Sequence, residues 1–397
     1  MSEKNSLLHS FNGIPYDEEV VPFPNFGAVI FQHKRALGKK TSIEDNSICW
    51  SFADVNNWIL KLQNYFDEIG VREKDVIGLS FGNSSIEILM LFALLFKGAI
   101  IQPIFPIYSK DEMNELFDRS KAKMIFNFNS ESKINYKNSQ VIKFSNHKEF
   151  ISKIKKYSEK ENMLPYLRLK NPALRFYEKG IGVVEFNQYN LLTAAQSIGK
   201  KFHLFRPGIS ILNHKIQDLT EFIYSVFAPF YYGKTIKIDE QISDENIFKN
   251  MSEGKIHYSY LGTNFEISEL TKIEYSFNNI LRDAAIVINV KNQKTEFRFS
   301  KHSPIVKVFG DNISCGVGLI FDKNGNGKCM DNIEVTIVDN DGEQASSNTK
   351  GKLAFRGHTI FDNLLTKNIN DCNFIKNGWF ITNKTSEAFG KNQILFN

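Results

Sequence analysis

Three short stretches of the chain combine residue types and spacings that could do chemistry. Gly78-Leu79-Ser80-Phe81-Gly82 fits GxSxG, the sharp turn that exposes a nucleophilic serine in many hydrolases. That serine needs a later carboxylate and then a histidine beside it. Asp218 and His257 follow in that order, but nothing in their flanks marks them. Asp322, Asn324, Asn326 and Gly327 copy the start of an EF-hand calcium loop. The twelfth position, where a bidentate Glu closes such a loop, is Ile333, with Glu334 one place late. Lys179 beside Gly180 and Gly182 supplies a charge and open backbone N–H groups of the kind that hold anions. However, Phe176–Phe186 (FYEKGIGVVEF) contains no Ser or Thr, and Glu178 places a negative charge next to the lysine. Lys179 therefore reads as a solvated turn residue, Ser80 as an ordinary strand end, and the glycines near 325–327 as a turn into a strand. Cys49, Cys315, Cys329 and Cys372 have no paired CxxC spacing and read as free thiols in a reducing cytoplasm.

The elements that must position these residues alternate between strand and helix. Ser51 with Asp54 forms a capping box, and Val55, Trp58, Ile59, Leu62 and Phe66 then recur at helical spacing until Gly70. A strand at Val76–Phe81, an apolar helix from Ser84 to Lys97, and a strand at Ala99–Ile104 follow. Ser109 with Glu112 starts another helix, and Met124–Phe128 another strand. This order predicts parallel strands joined by crossover helices. Residues 129–162 are polar and Lys-rich, with Phe150, Ile151, Ile154 and Tyr157 on one face of a basic surface helix. The last third changes to short alternating strands at Ile333–Val338, Lys352–Phe355, Trp379–Thr382 and Gln393–Phe396. Turn signals stand at Asn340-Asp341-Gly342 and Gly390. The expected division is an α/β core over residues 1–320 and a β-rich subdomain over 321–397.

Composition excludes several classes. The chain has 397 residues, 42% hydrophobic and 13% aromatic, enough for a large core and too much for global disorder. A net charge of +5 without a basic–aromatic cluster gives no nucleic-acid module. The longest apolar run, Ile88–Phe96, is about half the length of a membrane span, and the first ten residues lack a signal-peptide core. Cytoplasmic location is the resulting expectation.

From Pro22 onward the chain resembles the large N-terminal domain of the acyl-adenylate-forming (AMP-dependent synthetase/ligase) superfamily. The stretch SFADVNNWILKLQNYFDEIGVREKDVIGLSFGNSSIEILMLFALLFKGAIIQPIFP is similar to the family's opening pattern. NQYNLL at Asn187–Leu192, ILNHKIQDLTEFIYSVFAPFYYGKTIKI, Asn332–Gly357 and NGWFITNK resemble later segments in the same order. The resemblance implies an α/β large domain with two sheet-and-helix subdomains and a β-rich C-terminal portion. It also implies ATP- and magnesium-dependent activation of a carboxylate, an acid–thiol ligation if the chain is active.

The same resemblance implies that the chemistry is damaged. The family's Ser/Thr/Gly phosphate loop falls on Glu178, Lys179, Gly180 and Gly182, shortened and without hydroxyls. Its Tyr-Gly-x-Thr-Glu appears as Phe309-Gly310-Asp311-Asn312-Ile313, and Ile313 cannot ligate a hard cation. Its Gly-rich adenine pocket is replaced by Ile286–Asn289. Its ribose-binding Asp falls on Lys384, which can only donate hydrogen bonds. The sequence stops at Asn397, where the family continues into a small domain with a catalytic Lys. His214 matches a position that shapes the acyl pocket, and Arg356 matches a late-strand Arg that a salt bridge explains equally well.

The expectation is a pseudoenzyme that binds an acyl ligand or regulates a partner such as an active synthetase. It has no catalytic residue, metal or cofactor of its own. The alternative is half of a split ligase using Mg-ATP and completed by a separate small domain, and a minor alternative is a hydrolase acting through Ser80.

Overall fold

The computed structural model describes residues 21–80, 82–105, 107–128, 139–160, 166–261, 284–289, 305–322, 326–339, 343–345, 350–365, 379–382 and, as strand backbone, 375–376, 383–388 and 394–395. Two sheets are built from the alternation expected above. In the first, Val76–Ser80 lies between Ile100–Ile104 and Met124–Asn127, all parallel, and Gln140–Lys143 extends one side. On the other side Pro172–Glu178 joins parallel and turns back as Gly182–Asn187, against which Asn363–Leu364 pairs.

The second sheet has a parallel centre: Ile305–Phe309, Ala285–Asn289, Tyr258–Tyr260, Ile209–Leu212, Thr235–Ile238 and Thr41–Glu44, in that spatial order. Cys49–Ser51 closes one edge antiparallel. Leu319–Phe321 pairs antiparallel on the other side of Ile305–Phe309. The late strands Gly327–Cys329, Ile394–Leu395, Trp379–Ala388, Lys350–Gly357 and Ile333–Val338 continue from it antiparallel.

Local chemistry sets the helix ends. Ser51 caps Phe52–Glu68, Ser84 caps Ser85–Lys97 and Ser109 caps Lys110–Ser120, each in a reciprocal capping box with Asp54, Glu87 or Glu112. Gly98 stops the second of these at φ +77°, where an added Cβ would lie 2.5 Å from Leu167. Helix Ser85–Lys97 is apolar nearly all round, and Ser85 through Phe96 are all buried. A helix of this composition needs protein on every side. Each large aliphatic or aromatic side chain buried here contributes about 1.5–3 kcal/mol against exposure. The main core runs continuously from this helix through Phe26, Phe92, Phe227 and Phe230 to the second sheet.

The basic segment also forms a helix, but it is shorter than its apolar pattern, His147–Ile154, with Tyr157 beyond its end. Phe150 and Ile154 are fully buried, Phe150 against Phe128 and Phe144, while Lys148, Lys153, Lys155 and Lys156 face solvent. The turns expected at residues 340–342 and near Gly390 lie outside the described residues, as does Cys372. Among the described residues no helix is long and apolar enough to cross a membrane.

Candidate functional site

The shortened loop is a tight hairpin. Pro172–Glu178 and Gly182–Asn187 pair antiparallel up to Glu178 opposite Gly182, so only Lys179, Gly180 and Ile181 remain in the turn. Gly180 adopts φ +79°, and the Ile181 N–H donates to the Glu178 carbonyl at 3.0 Å. Across the hairpin, Arg175 holds Glu185 at 2.6 Å, and Phe176 stacks on Phe186 with ring centroids 5.7 Å apart. Tyr108 donates to the Tyr177 carbonyl at 3.1 Å. Burial, with Glu178 close by, pushes the Tyr108 hydroxyl well above its ordinary pKa.

At the hairpin tip, Glu178 meets the second sheet. Its Oε2 accepts from Asn312 Nδ2 at 2.9 Å. Asn312 Oδ1 in turn accepts from both the Thr220 N–H at 3.1 Å and the Thr220 hydroxyl at 3.0 Å. Asn312 begins a single 3-10 turn after strand Ile305–Phe309, and Thr220 lies in the short helix Leu219–Phe222 capped by Asp218. Three elements are thus tied by one amide.

Around Asn312 the backbone is tightly packed. A Cβ at Gly310 would sit 1.8 Å from the Gly316 carbonyl oxygen, so only glycine fits there. Asn289, at the end of Ala285–Asn289, donates to the Gly310 carbonyl at 3.0 Å. Ile286, Val287 and Ile288 on the same strand are fully buried. The side chain of Ile313 packs in the main hydrophobic core, and its carbonyl accepts from the Phe361 N–H at 3.1 Å. Lys384 falls within strand Trp379–Ala388, and its side chain lies outside the described residues.

His214 follows strand Ile209–Leu212. Asn83 fixes its loop, donating to the His214 carbonyl and accepting from the Ile216 N–H at 2.9 Å. Desolvation lowers the imidazole pKa to about 4, so the ring is neutral at pH 7. Tyr260 lies beside it with ring centroids 6.2 Å apart and stacks on Tyr224 at 4.8 Å. Tyr224 lies in a π-helical stretch, Ile223–Phe227, and donates to the Gly316 carbonyl at 3.2 Å. Such π turns recur at functional sites. Neither tyrosine was singled out in the sequence, although Tyr258-Ser259-Tyr260 alternates as a strand with one aromatic face.

The remaining sequence candidates separate from this region. Ser80 Oγ accepts from the Phe128 N–H at 2.9 Å, inside the first sheet. His257 sits at the N-terminal entry of strand Tyr258–Tyr260 in the second sheet, its Nδ1 facing the Ile209 N–H at 3.4 Å. Asp218 caps a helix through the Glu221 N–H. The three do not converge as a triad. Asp322 accepts from the Asn326 N–H at 2.9 Å and its side-chain amide at 3.1 Å, and Gly327 opens the strand Gly327–Cys329. Among the described residues no cluster of three metal-ligating side chains occurs. Arg356 pairs with Glu334 (Nε to Oε2, 2.9 Å) and lies over the Trp379 ring at 4.5 Å. Cys49, Cys315 and Cys329 are free thiols.

Residues 30–175 match the family model described as AMP-binding enzyme. Solved structures share the fold over nearly the whole chain. The N-terminal domain of FACL13 from Mycobacterium tuberculosis aligns with a TM-score of 0.78 at 12% identity, covering 94% of this chain and 100% of that one. For o-succinylbenzoate CoA synthetase (MenE) from Bacillus subtilis the values are 0.79 and 14%, covering 94% and 77%. The NpsA N-terminal subdomain of Klebsiella oxytoca, solved with 3-hydroxybenzoyl-AMSN, gives 0.74 and 10%, covering 96% and 99%. A curated relative, the probable non-canonical nonribosomal peptide synthetase CymA of Salinispora arenicola, is 24% identical over 124 residues, 31% of this chain. The chain spans 2% of that protein's length. The AMP-binding match covers residues 30–175, and the fold over nearly the whole chain is similar to that of the N-terminal domains of these adenylating enzymes.

Proposed function

We propose that this domain does not adenylate a carboxylate itself and serves as a ligand-binding or partner-regulating module built on the synthetase scaffold. The observation that carries this reading is the 2.9 Å bond from Asn312 to the Glu178 carboxylate. By resemblance, Asn312 stands where a Thr would contact the adenylate phosphate, and Glu178 stands in the loop that would wrap ATP. The protein's own carboxylate occupies the amide that a phosphate would need. An incoming polyphosphate would also meet that negative charge at short range.

Three further features support the same reading. The hairpin turn Lys179–Ile181 offers no hydroxyl donor. Ile313, where the family's magnesium ligand would stand, packs in the core and presents no side-chain oxygen. The strand Ile286–Ile288 fills the place assigned to the adenine pocket with buried aliphatic side chains. A magnesium nucleotide does not fit this donor set.

The test is carboxylate-dependent exchange of labelled pyrophosphate into ATP, run with the purified chain over a panel of aliphatic, aromatic and amino acids. The reading expects exchange at the enzyme-free background. Turnover that survives repurification and tracks the protein would overturn it.

A further inference from the structure

Four adjacent parallel strands of the second sheet, Tyr258–Tyr260, Ile209–Leu212, Thr235–Ile238 and Thr41–Glu44, begin along one edge. A basic residue stands shortly before each start: His257, Arg206, Lys234 and Lys40. Short contacts hold this rim together. Lys40 Nζ donates to the Gly233 carbonyl at 2.8 Å, and Lys234 Nζ to the Arg206 carbonyl at 3.0 Å. His257 Nδ1 faces the Ile209 N–H at 3.4 Å. Burial lowers the His257 pKa, and the charges of Lys234 and Lys40 lower it further, so these groups lie within electrostatic reach of one another.

Helix Gln188–Lys201 ends in Lys200 and Lys201 and runs into a turn that joins the rim. The Leu204 N–H donates to the Gly199 carbonyl at 2.9 Å, and the Arg206 N–H to the His203 carbonyl at 3.1 Å. Phe202 and Leu204 are buried, and Gly208 lies so close to His257 that an added Cβ would strike the ring. With the turn fixed at both ends, Phe205 is held out and is 55% exposed. Lys200, Lys201, His203 and Arg206 are exposed around it. Among the described residues no carboxylate pairs with Lys40, Lys200 or Lys201. A lone exposed ring is ordinary. A ring held out on a turn amid positive charge is the arrangement of an interfacial anchor.

We infer that this rim docks on an anionic membrane surface, with Phe205 entering the headgroup region and the lysines facing lipid phosphates and carboxylates. Lysines are flexible point charges that suit a diffuse anionic surface, whereas nucleic acid favours arginine forks and successive stacking rings. Here the turn exposes one ring and buries Phe202 and Leu204. The rim lies at the opposite end of the parallel strands from Asn312 and His214, and its docking is independent of what binds there.

The test is sedimentation of the full chain with vesicles of phosphatidylcholine alone or mixed with phosphatidylserine. Binding is expected only to the mixed vesicles at about 0.1 M salt, and should be lost at about 1 M, where the screening length falls from about 10 Å to about 3 Å. Lys200→Gln with Lys201→Gln should weaken it about twenty-fivefold, about fivefold for each lysine near such a surface. Phe205→Ser, at an exposed position, should weaken it about tenfold. Lys155→Gln with Lys156→Gln removes the same charge just beyond helix His147–Ile154 and should leave binding nearly unchanged. Melting curves identify a variant that has merely unfolded. Equal binding to both vesicles, no binding to the mixed ones, or an equal loss from the two lysine pairs would each overturn the inference. So would tighter binding of poly(U) or poly-glutamate at the same salt, which would assign the rim to nucleic acid or to an acidic protein.

Discussion

The carboxylate of Glu178 and the side-chain amide of Asn312 meet at 2.9 Å across 134 residues of sequence, joining the hairpin tip of one sheet to the 3-10 turn of the other. Thr220 completes the tie by donating twice to the same amide. On the proposed reading, this bond stands where an external anion would otherwise be held.

The tie should be measurable as coupling. Asn312→Ala leaves Glu178 and Thr220 each short of a partner and is expected to cost about 1–3 kcal/mol in urea unfolding. In a double-mutant cycle with Glu178→Ala, an interaction energy of about 1 kcal/mol is expected. Additive losses would show that the contact contributes nothing to holding the sheets together.

Placing a carboxylate at position 313 should fail. Ile313 is buried in the main core, so Ile313→Glu places an unpaired carboxylate there and is expected to cost more than 3 kcal/mol. Ile313→Val should cost only about 1 kcal/mol. Denaturant midpoints of the two variants give the comparison. A folded Ile313→Glu protein stabilised by magnesium would contradict this account of the position.

Two buried groups set opposing pH responses. Burial raises the Glu87 carboxyl pKa to about 7, partly opposed by bonds from Ser84 and Gly82, with the nearby Glu240 charge pushing the same way. Folded protein therefore holds a proton that the unfolded chain has lost. This contribution to stability is present below pH 4.5 and disappears as pH rises to about 7. His214, lowered from 6.5 to about 4, behaves oppositely, because the unfolded chain takes up a proton first as pH falls below 6.5. Between pH 4.5 and 6.5 these two slopes oppose each other, while His33 and His257, also lowered by burial, act in the same direction as His214. Relative to wild type, Glu87→Gln should tilt the stability profile upward with pH by about 1.4 kcal/mol per unit, and His214→Phe downward by the same amount. Identical pH profiles for the two variants would be the wrong result for both assignments.

Ser80 and Arg356 are structural on this account. Ser80→Ala removes the acceptor for the Phe128 N–H and should cost about 1 kcal/mol while leaving any ester hydrolysis unchanged. Arg356→Ala breaks a partly exposed pair with Glu334 and a ring contact with Trp379, for about 1 kcal/mol or less. Loss of hydrolysis in folded Ser80→Ala would revive the serine as a nucleophile.

What the sequence made legible was local. The capping boxes of Ser51 and Ser109 lie within four residues, and their helices begin where those residues place them. The apolar stretch before Gly98 has no face to spare for water, so its burial follows from composition. The absence of Ser and Thr between Phe176 and Phe186 was also visible, as was the unsuitability of Ile313 for a cation. The partners were not. Nothing at Glu178 points to Asn312, or at Asn312 to Thr220, because those contacts depend on how two sheets stack. The same holds for Tyr224, Tyr260 and Asn213 around His214. The helix of residues 147–154 shows the intermediate case. Its apolar face was readable, but whether Phe150 met protein or solvent was decided by Phe128 and Phe144.

The most direct measurement is calorimetric titration of the purified chain with Mg·ATP and, separately, with AMP, at two temperatures so that a zero enthalpy cannot hide binding. The account predicts no saturable heat for either nucleotide, because Asn312 is already bonded to Glu178 and the Ile313 side chain offers magnesium no oxygen. Saturable binding in the micromolar range would contradict it and favour a nucleotide-using domain.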